Sequence, residues 1–519
     1  MKTRYLFLTL AGAAALALSS CSLDEDLSVI STPDNFFRKP MECESVVNSC
    51  YINIKSIYNY TYLIATECCT DLAYCPSGTL DARLDISPAI PRFGQTVWNN
   101  GYTGVARCNF AIKGIENSKT AYIDQDGNVD EKNENRLRLL GEAKVLRAFY
   151  YYTLTSFFGD VPFYFDDVED LETLDRIGQL GRMSAVETRK ACIEDLEGIA
   201  PLLPQTRTSE NDGQRLGAAV AWTLIAKMSL WNATKDVPAN SEMWYRKALE
   251  ALKKVEAIYG DFTQYDLETN MLWRNKNTPE SIMEIQHSYT QGGLEYTSNA
   301  AAICQPYPHT ANSAIFDGVE VDILGSDATA WAAMRPKMYF CQGLQTKLGP
   351  DLRKNLNMAW AYNGREFKSV SGRPWMGPKF WCPHMYQTKD GNNYPVFRYA
   401  DTILMIAECY NELNEDDKAV EYLNMTRRRA GLKDYVFRTH VRLQDEIRSE
   451  RGRELIGEFQ RKFDLVRWGI WYEATLGNND YQALKDNILP CHEYYPIPDQ
   501  EVVKSKGNLD NKAYAKYGL

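Results

Sequence analysis

The chain lacks most of what a metal, nucleotide or nucleophile enzyme displays. It has only 5 His in 519 residues, at positions 287, 309, 384, 440 and 492, and no two stand four apart on a shared helical face. There is no HExxH, GxSxG, P-loop or dinucleotide fingerprint, and no CxxC…CxxC or Cys/His spacing that would hold zinc. No cofactor and no metal are expected. Basic charge is also short, with 58 Lys and Arg against 68 Asp and Glu, for a formal net charge of −10. Nucleic acid and anionic membrane surfaces both call for clustered positive charge, so neither is an expected partner. Beyond the first twenty residues, no apolar run approaches the ~18 residues that a membrane-spanning helix needs.

What is present suits a folded, largely non-membrane chain, 45% hydrophobic and 24% charged. Tyr is abundant, 32 against 19 Phe. Its apolar ring and polar tip suit half-wet binding surfaces as well as cores.

The N-terminus reads as an address. Lys2 and Arg4 precede an apolar stretch from Leu6 to Leu18, which is of secretory length and too short to span a bilayer. Leu18-Ser19-Ser20-Cys21 then follows the pattern of a bacterial lipobox, in which Cys21 is acylated after cleavage. Two or three acyl chains, at about 0.8 kcal/mol per buried CH₂, hold a protein firmly to a membrane. Residues 1–20 are thus expected as a signal peptide and 21–40 as a polar, Pro-punctuated tether, with the acidic run Asp24-Glu25-Asp26 just after the Cys. Cys43, Cys50, Cys68, Cys69, Cys75 and Cys108 crowd the next stretch. An exported protein can form disulfides there, but buried free thiols are the expectation for most of the cysteines.

One stretch organises the rest. In Gly141–Pro162, Ala143, Leu146, Tyr150, Thr153 and Phe157 recur at steps of three and four, the signature of one helical face, with Lys144 and Arg147 opposite. Gly159 stands where a left-handed cap wants no Cβ, and Pro162 forbids continuation. Ser184 and Glu187 form a capping pattern for a helix that Pro204 ends. Residues 217–231 and 244–259 read as a helical pair. A sharper pair has Ala407 and Ala419 twelve apart around the turn Asn414-Glu415-Asp416-Asp417, the spacing of a tetratricopeptide helix–turn–helix. Asp124 to Asp130 fails the calcium-loop test, since the sixth residue is Val129 and the twelfth Asn135. Between the pairs, 261–393 has little helical period, many Gly, Pro and aromatic residues, and a short strand expected at Ser281–Gln286. An irregular insertion of that length is uncommon unless it serves a function.

Six segments, in order, resemble the SusD/RagB family of bacterial outer-membrane lipoproteins. They are the Gly141–Pro162 helix; Ile193-Glu194-Asp195-Leu196 with Leu202-Leu203-Pro204; Tyr394–Leu413; Leu423–Leu432; Ile447–Gly469; and Tyr495-Pro496-Ile497-Pro498 with Glu501. Departures are Cys409 in place of a small residue, and Gly507-Asn508 where the family has Asn-Pro. The resemblance implies a mainly α fold, a tetratricopeptide-like scaffold of helical pairs at about 98–260 and 394–475. A partly β ligand-binding insertion at about 261–393 completes a domain of 41–519. It also implies capture of an oligosaccharide at the outer membrane and delivery to a SusC-like TonB-dependent transporter. A RagB-type peptide cargo is the alternative, and a surface glycoside hydrolase a further one.

Sugar recognition needs aromatic faces against C–H surfaces and amides for hydroxyls. Trp98, Trp331, Trp360, Trp375 and Trp381 lie outside strong helical periodicity. In the resembling family the platform is built from the early aromatic segment and the insertion, so Trp98, Asn100, Tyr296 and Trp331 are the candidate ligand-binding residues. For catalysis, Glu450, Glu454 and Glu458 sit four apart. Arg451, Arg453, Arg461 and Lys462 lie close enough for helical ion pairs that would hold those acids ionised, the wrong state for a general acid. No catalytic residue is expected.

Overall fold

The computed structural model describes residues 36–76, 80–118, 134–206, 215–288, 296–304, 313–316, 319–322, 334–336, 351–359, 361–362, 365–366, 375–382, 385 and 387–519. Cys21, Trp331, Trp360, His309, His384 and the Asp124–Asp130 segment lie outside them.

The longer helices are α1 (Pro40–Ile57), α2 (Phe93–Asn117), α3 (Glu134–Phe158), α4 (Ala185–Ile199), α5 (Ala218–Lys235), α6 (Ser241–Tyr259), α7 (Tyr399–Glu412), α8 (Asp416–Arg429), α9 (His440–Leu455) and α10 (Arg461–Arg467). Consecutive helices pack as pairs, α5 on α6 and α7 on α8, while α3 takes α2 on one side and α4 on the other. This is the expected mainly α scaffold. The first pairing begins before residue 98, because α2 starts at Phe93 and α1 packs on it.

Helix α3 is the central rod. It runs 25 residues and starts at Glu134, earlier than the periodic face that marks it. From Leu139 to Phe158 nearly every side chain is buried, because neighbours enclose it on more than one side. Arg147, read in the sequence as the face away from the core, is itself buried. Its Nη2 donates to Asp195 on α4 at 2.7 Å, its Nη1 to Asn109 on α2 at 2.9 Å, and its guanidinium lies 3.5 Å from the centre of the Phe165 ring. Gly159 closes the helix at φ +68°, with its N–H on Thr155 O, as a left-handed cap requires. Close approach to α2 depends on Gly104, where an added Cβ would lie 2.3 Å from the Tyr150 ring. The Tyr150 hydroxyl donates to Cys50 O at 2.6 Å, tying α1 to the same rod.

Ser184 caps α4 by accepting from Glu187 N–H at 3.2 Å. Ala407 and Ala419 are fully buried on the packed helices α7 and α8, with Asn414 at φ +60° in the turn between them. Strand β1 (Ser281–Ile285) does form, antiparallel to β2 (Tyr394–Arg398), which leads directly into α7. Other strand pairings in the insertion are short two-stranded pieces. Of the described cysteines, all but Cys491 are buried. Among the described residues no helix is long and apolar enough to cross a membrane.

The insertion is pinned to the scaffold by charge. Arg353, with no exposed surface, donates to Asp351, Glu450 and Glu454. Lys379 donates to Glu458 at 2.7 Å, and Arg398 bridges Glu280 at 2.8 Å and Glu458 at 2.9 Å. These are not the helical pairs read from sequence spacing. Of those, only Arg453 with Glu450 forms. Arg451 goes instead to Asp401 and Asp464, Arg461 to Asp71, and the Lys462 ammonium to His492 O. Glu458 is not on the helix at all, since α9 ends at Leu455 and the chain turns at Gly457 with φ +80°.

Candidate functional site

Tyr296 stands out on the described part of the insertion, 51% exposed on a stiff mount. Its carbonyl accepts from Ser288 N–H at 2.7 Å. Two residues on, Ser298 and Asp390 exchange backbone hydrogen bonds at 2.7 and 2.9 Å, and the Ser298 hydroxyl donates to the Asp390 carboxylate. That carboxylate also accepts from Ala301 N–H at 3.0 Å and Asn392 N–H at 3.0 Å. Burial pushes the Asp390 carboxyl up to about 6 against these donors. Tyr394 completes the mount, its hydroxyl oxygen accepting from the N–H groups of Asn299 and Ala300. The Lys55 ammonium of α1 lies 5.0 Å from the centre of the Tyr296 ring. The result is a half-exposed ring on a backbone segment held by buried polar groups, with a cation beside the ring.

Asn100 reaches the same helix α1. It accepts from Asn53 Nδ2 at 2.9 Å and donates to Thr96 O at 3.0 Å, while Asn53 Oδ1 accepts from Arg107 at 2.9 Å. Asn100 is half-buried, and both ends of its amide already have protein partners. Trp98 is a correction to the expectation of a ring outside strong helical periodicity. It lies within α2, 5% exposed, edge-on to Phe158 with ring centres 5.1 Å apart and against Tyr102 at 4.8 Å. One helical residue step is ~100°, so Trp98 and Asn100, two steps apart, face widely different directions. The fold therefore brings Asn100 and Tyr296 to α1 and sends Trp98 into the core. Trp375 and Trp381 are buried as well.

The acids read as a possible catalytic pair are locked. Glu450 is held down to about 2 and Glu454 well below the usual carboxylate range. Burial opposes this in both, but the Arg353 and Arg453 guanidiniums outweigh it at Glu450, and those of Arg429, Arg398 and Arg353 outweigh it at Glu454. Neither can hold a proton to give to a leaving group near neutral pH. His287 is buried and held down to about 3 by desolvation. Among the described residues no group of three or more His, Cys, Asp or Glu is arranged to hold a metal.

A cleft that sequence reading did not find, of about 720 Å³, lies between residues 262–274, residues 352–356 and the end of α8. Its walls include Leu267, Leu272, Leu356 and Met425, with Arg274, Arg428 and Arg429 among its charged residues. No sequence period marks it, because it is assembled from four segments that are distant in the chain, Pro378 adding to the three above.

Paired helices define a class of α-helical scaffold, and solved structures share this fold. A SusD homologue from Bacteroides thetaiotaomicron matches with a TM-score of 0.74 and 17% identity, over 92% of this chain and 97% of that one. A surface glycan-binding protein A from the same species, solved in complex with laminarihexaose, matches with a TM-score of 0.69 and 22% identity, over 91% and 99%. In sequence, residues 384–514 match the SusD family, and residues 82–230 match a family described as "Starch-binding associating with outer membrane". SusD-like protein P25 of Formosa agariphila is 24% identical over 95% of each chain. The chain belongs to the SusD/RagB family.

Proposed function

We propose that this chain is a non-catalytic glycan-binding lipoprotein of the outer membrane. It captures an oligosaccharide outside the cell and passes it to a SusC-like TonB-dependent transporter. Cys21 carries the lipid anchor that holds it there. The observation that carries the reading is Tyr296, a half-exposed ring on a mount of buried hydrogen bonds in the insertion. An aromatic face of this kind stacks on sugar C–H surfaces, and a backbone already held in place limits the loop-ordering entropy lost on binding. Asn100 is a weaker candidate, because a sugar hydroxyl would have to replace partners that its amide already has. Trp331 stays in the proposal as a candidate lying outside the described residues. Full ion pairing of Glu450 and Glu454 supports binding without turnover.

The test is titration calorimetry of the full chain against panels of oligosaccharides and peptides, with chromatography of each mixture for products. Saturable binding to a glycan with no new product is expected. Binding confined to peptides would reassign the cargo, and released sugar products would overturn the non-catalytic reading.

A further inference from the structure

The cleft beside α8 shares no residue with the Tyr296 mount, and its chemistry differs. We propose that it is a separate ligand site for an aliphatic carboxylate, with Arg274 holding the carboxylate. Its volume of about 720 Å³ is in the range of small-molecule sites. Its deep walls are aliphatic, with Leu267 and Leu272 at most 7% exposed, while Leu352 at 56% exposure forms an apolar lip.

Two aromatic rings line it, but neither offers a face to a sugar. The Arg429 guanidinium covers Phe262 at 4.4 Å from the ring centre. Tyr265 is 8% exposed, and its hydroxyl donates to Tyr259 O at 2.7 Å. The charges sort just as clearly. Arg428 makes a two-pronged pair with Asp434 at 2.8 and 2.6 Å. Arg429 is taken by Glu280 and Glu454. Asp266 is occupied in capping Thr269 N–H at 2.8 Å, and Glu268 is exposed to solvent. Arg274 is half-buried and has no acidic partner among the described residues. An unpaired guanidinium at the edge of an apolar cleft favours a carboxylate, which it can hold through two charge-assisted hydrogen bonds. The aliphatic walls then select the body that the carboxylate carries.

The probes are octanoate and octanol, titrated calorimetrically into the full chain, with N-acetyl-leucinate as a second carboxylate. Octanoate should bind saturably and octanol at least about tenfold more weakly. Arg274→Gln should remove that difference, and Leu352→Glu, an exposed change with little risk to folding, should weaken octanoate more than octanol by repulsion at the lip. Whichever of octanoate and N-acetyl-leucinate binds more tightly assigns the natural source to a free acyl chain or to the C-terminal residue of a peptide. No saturable octanoate binding by the unaltered chain, or octanoate binding in Arg274→Gln and Leu352→Glu as tight as in the unaltered chain, overturns the proposal. Glycan titrations on the same preparation stand apart, since neither substituted residue belongs to the Tyr296 mount.

Discussion

Arg353 Nη1 donates to Glu450 Oε1 at 2.8 Å, and neither side chain has any exposed surface. The pair joins the insertion to α9 across 97 residues of chain. A buried ion pair is weak evidence of net stability, because desolvation opposes the attraction, but removing one partner strands the other. Arg353→Met leaves Asp351 and Glu450 with one cation fewer and should cost about 3–5 kcal/mol. Urea unfolding should show a lower midpoint at unchanged slope; an unmoved midpoint would mean that the insertion is held elsewhere.

Gly104 faces the Tyr150 ring at a distance that leaves no room for a methyl group. Gly104→Ala gains helix propensity of up to ~1 kcal/mol but must displace a fully buried ring whose hydroxyl is fixed on Cys50 O. Overpacking of this kind costs ~1–3 kcal/mol, so the net effect should be a lowered melting temperature. A rise would show that α2 and α3 can slide apart.

Helix positions and the paired scaffold were legible because α3, α4, α7 and α8 carry their own periodicity and punctuation, such as Ser184 as a cap and Gly159 as a stop. The partners of charged residues were not legible. Spacing suggested local pairs for Glu454, whereas Arg353, Arg398 and Arg429 come from other segments. Trp98 shows the same limit at the site. Its residue type suits sugar stacking, but its direction is set by its phase within α2.

Asp390 gives the Tyr296 mount a pH dependence. Burial raises its carboxyl in the folded state from the ordinary 3.8 to about 6, so the folded state holds the proton more tightly. The stability contributed by the protonated form is fully present below about pH 4 and is lost as pH rises through 6. Asp390→Asn cannot ionise. Whatever its constant offset, its stability should therefore gain on the unaltered chain between pH 4 and 6, by roughly 3 kcal/mol at most. Parallel pH profiles of unfolding free energy for the two chains would remove Asp390 as the cause.

The anchor is tested by Cys21→Ala, expressed in a bacterium that processes lipoproteins. The altered chain should leave the membrane fraction and lose incorporation of labelled palmitate. Continued labelling would place the acyl group on another residue and end the lipobox reading.

Trp98 and Tyr296 together decide where the glycan sits, because the fold gives them opposite circumstances. Trp98→Ala empties a core position packed on Phe158 and Tyr102 and should cost about 3–5 kcal/mol of stability. Any loss of binding there should follow the fraction unfolded. Tyr296→Ala removes a ring that is half in solvent, so unfolding should shift by no more than about 0.5 kcal/mol. Its glycan affinity should fall at least tenfold, or about 1.4 kcal/mol, as expected when an ordered aromatic anchor is truncated. Tyr296→Phe keeps the ring and should keep most of the affinity, which separates stacking from a hydroxyl contact. Full affinity in Tyr296→Ala, alongside selective loss in a still-folded Trp98→Ala, would move the binding surface from the insertion to α2.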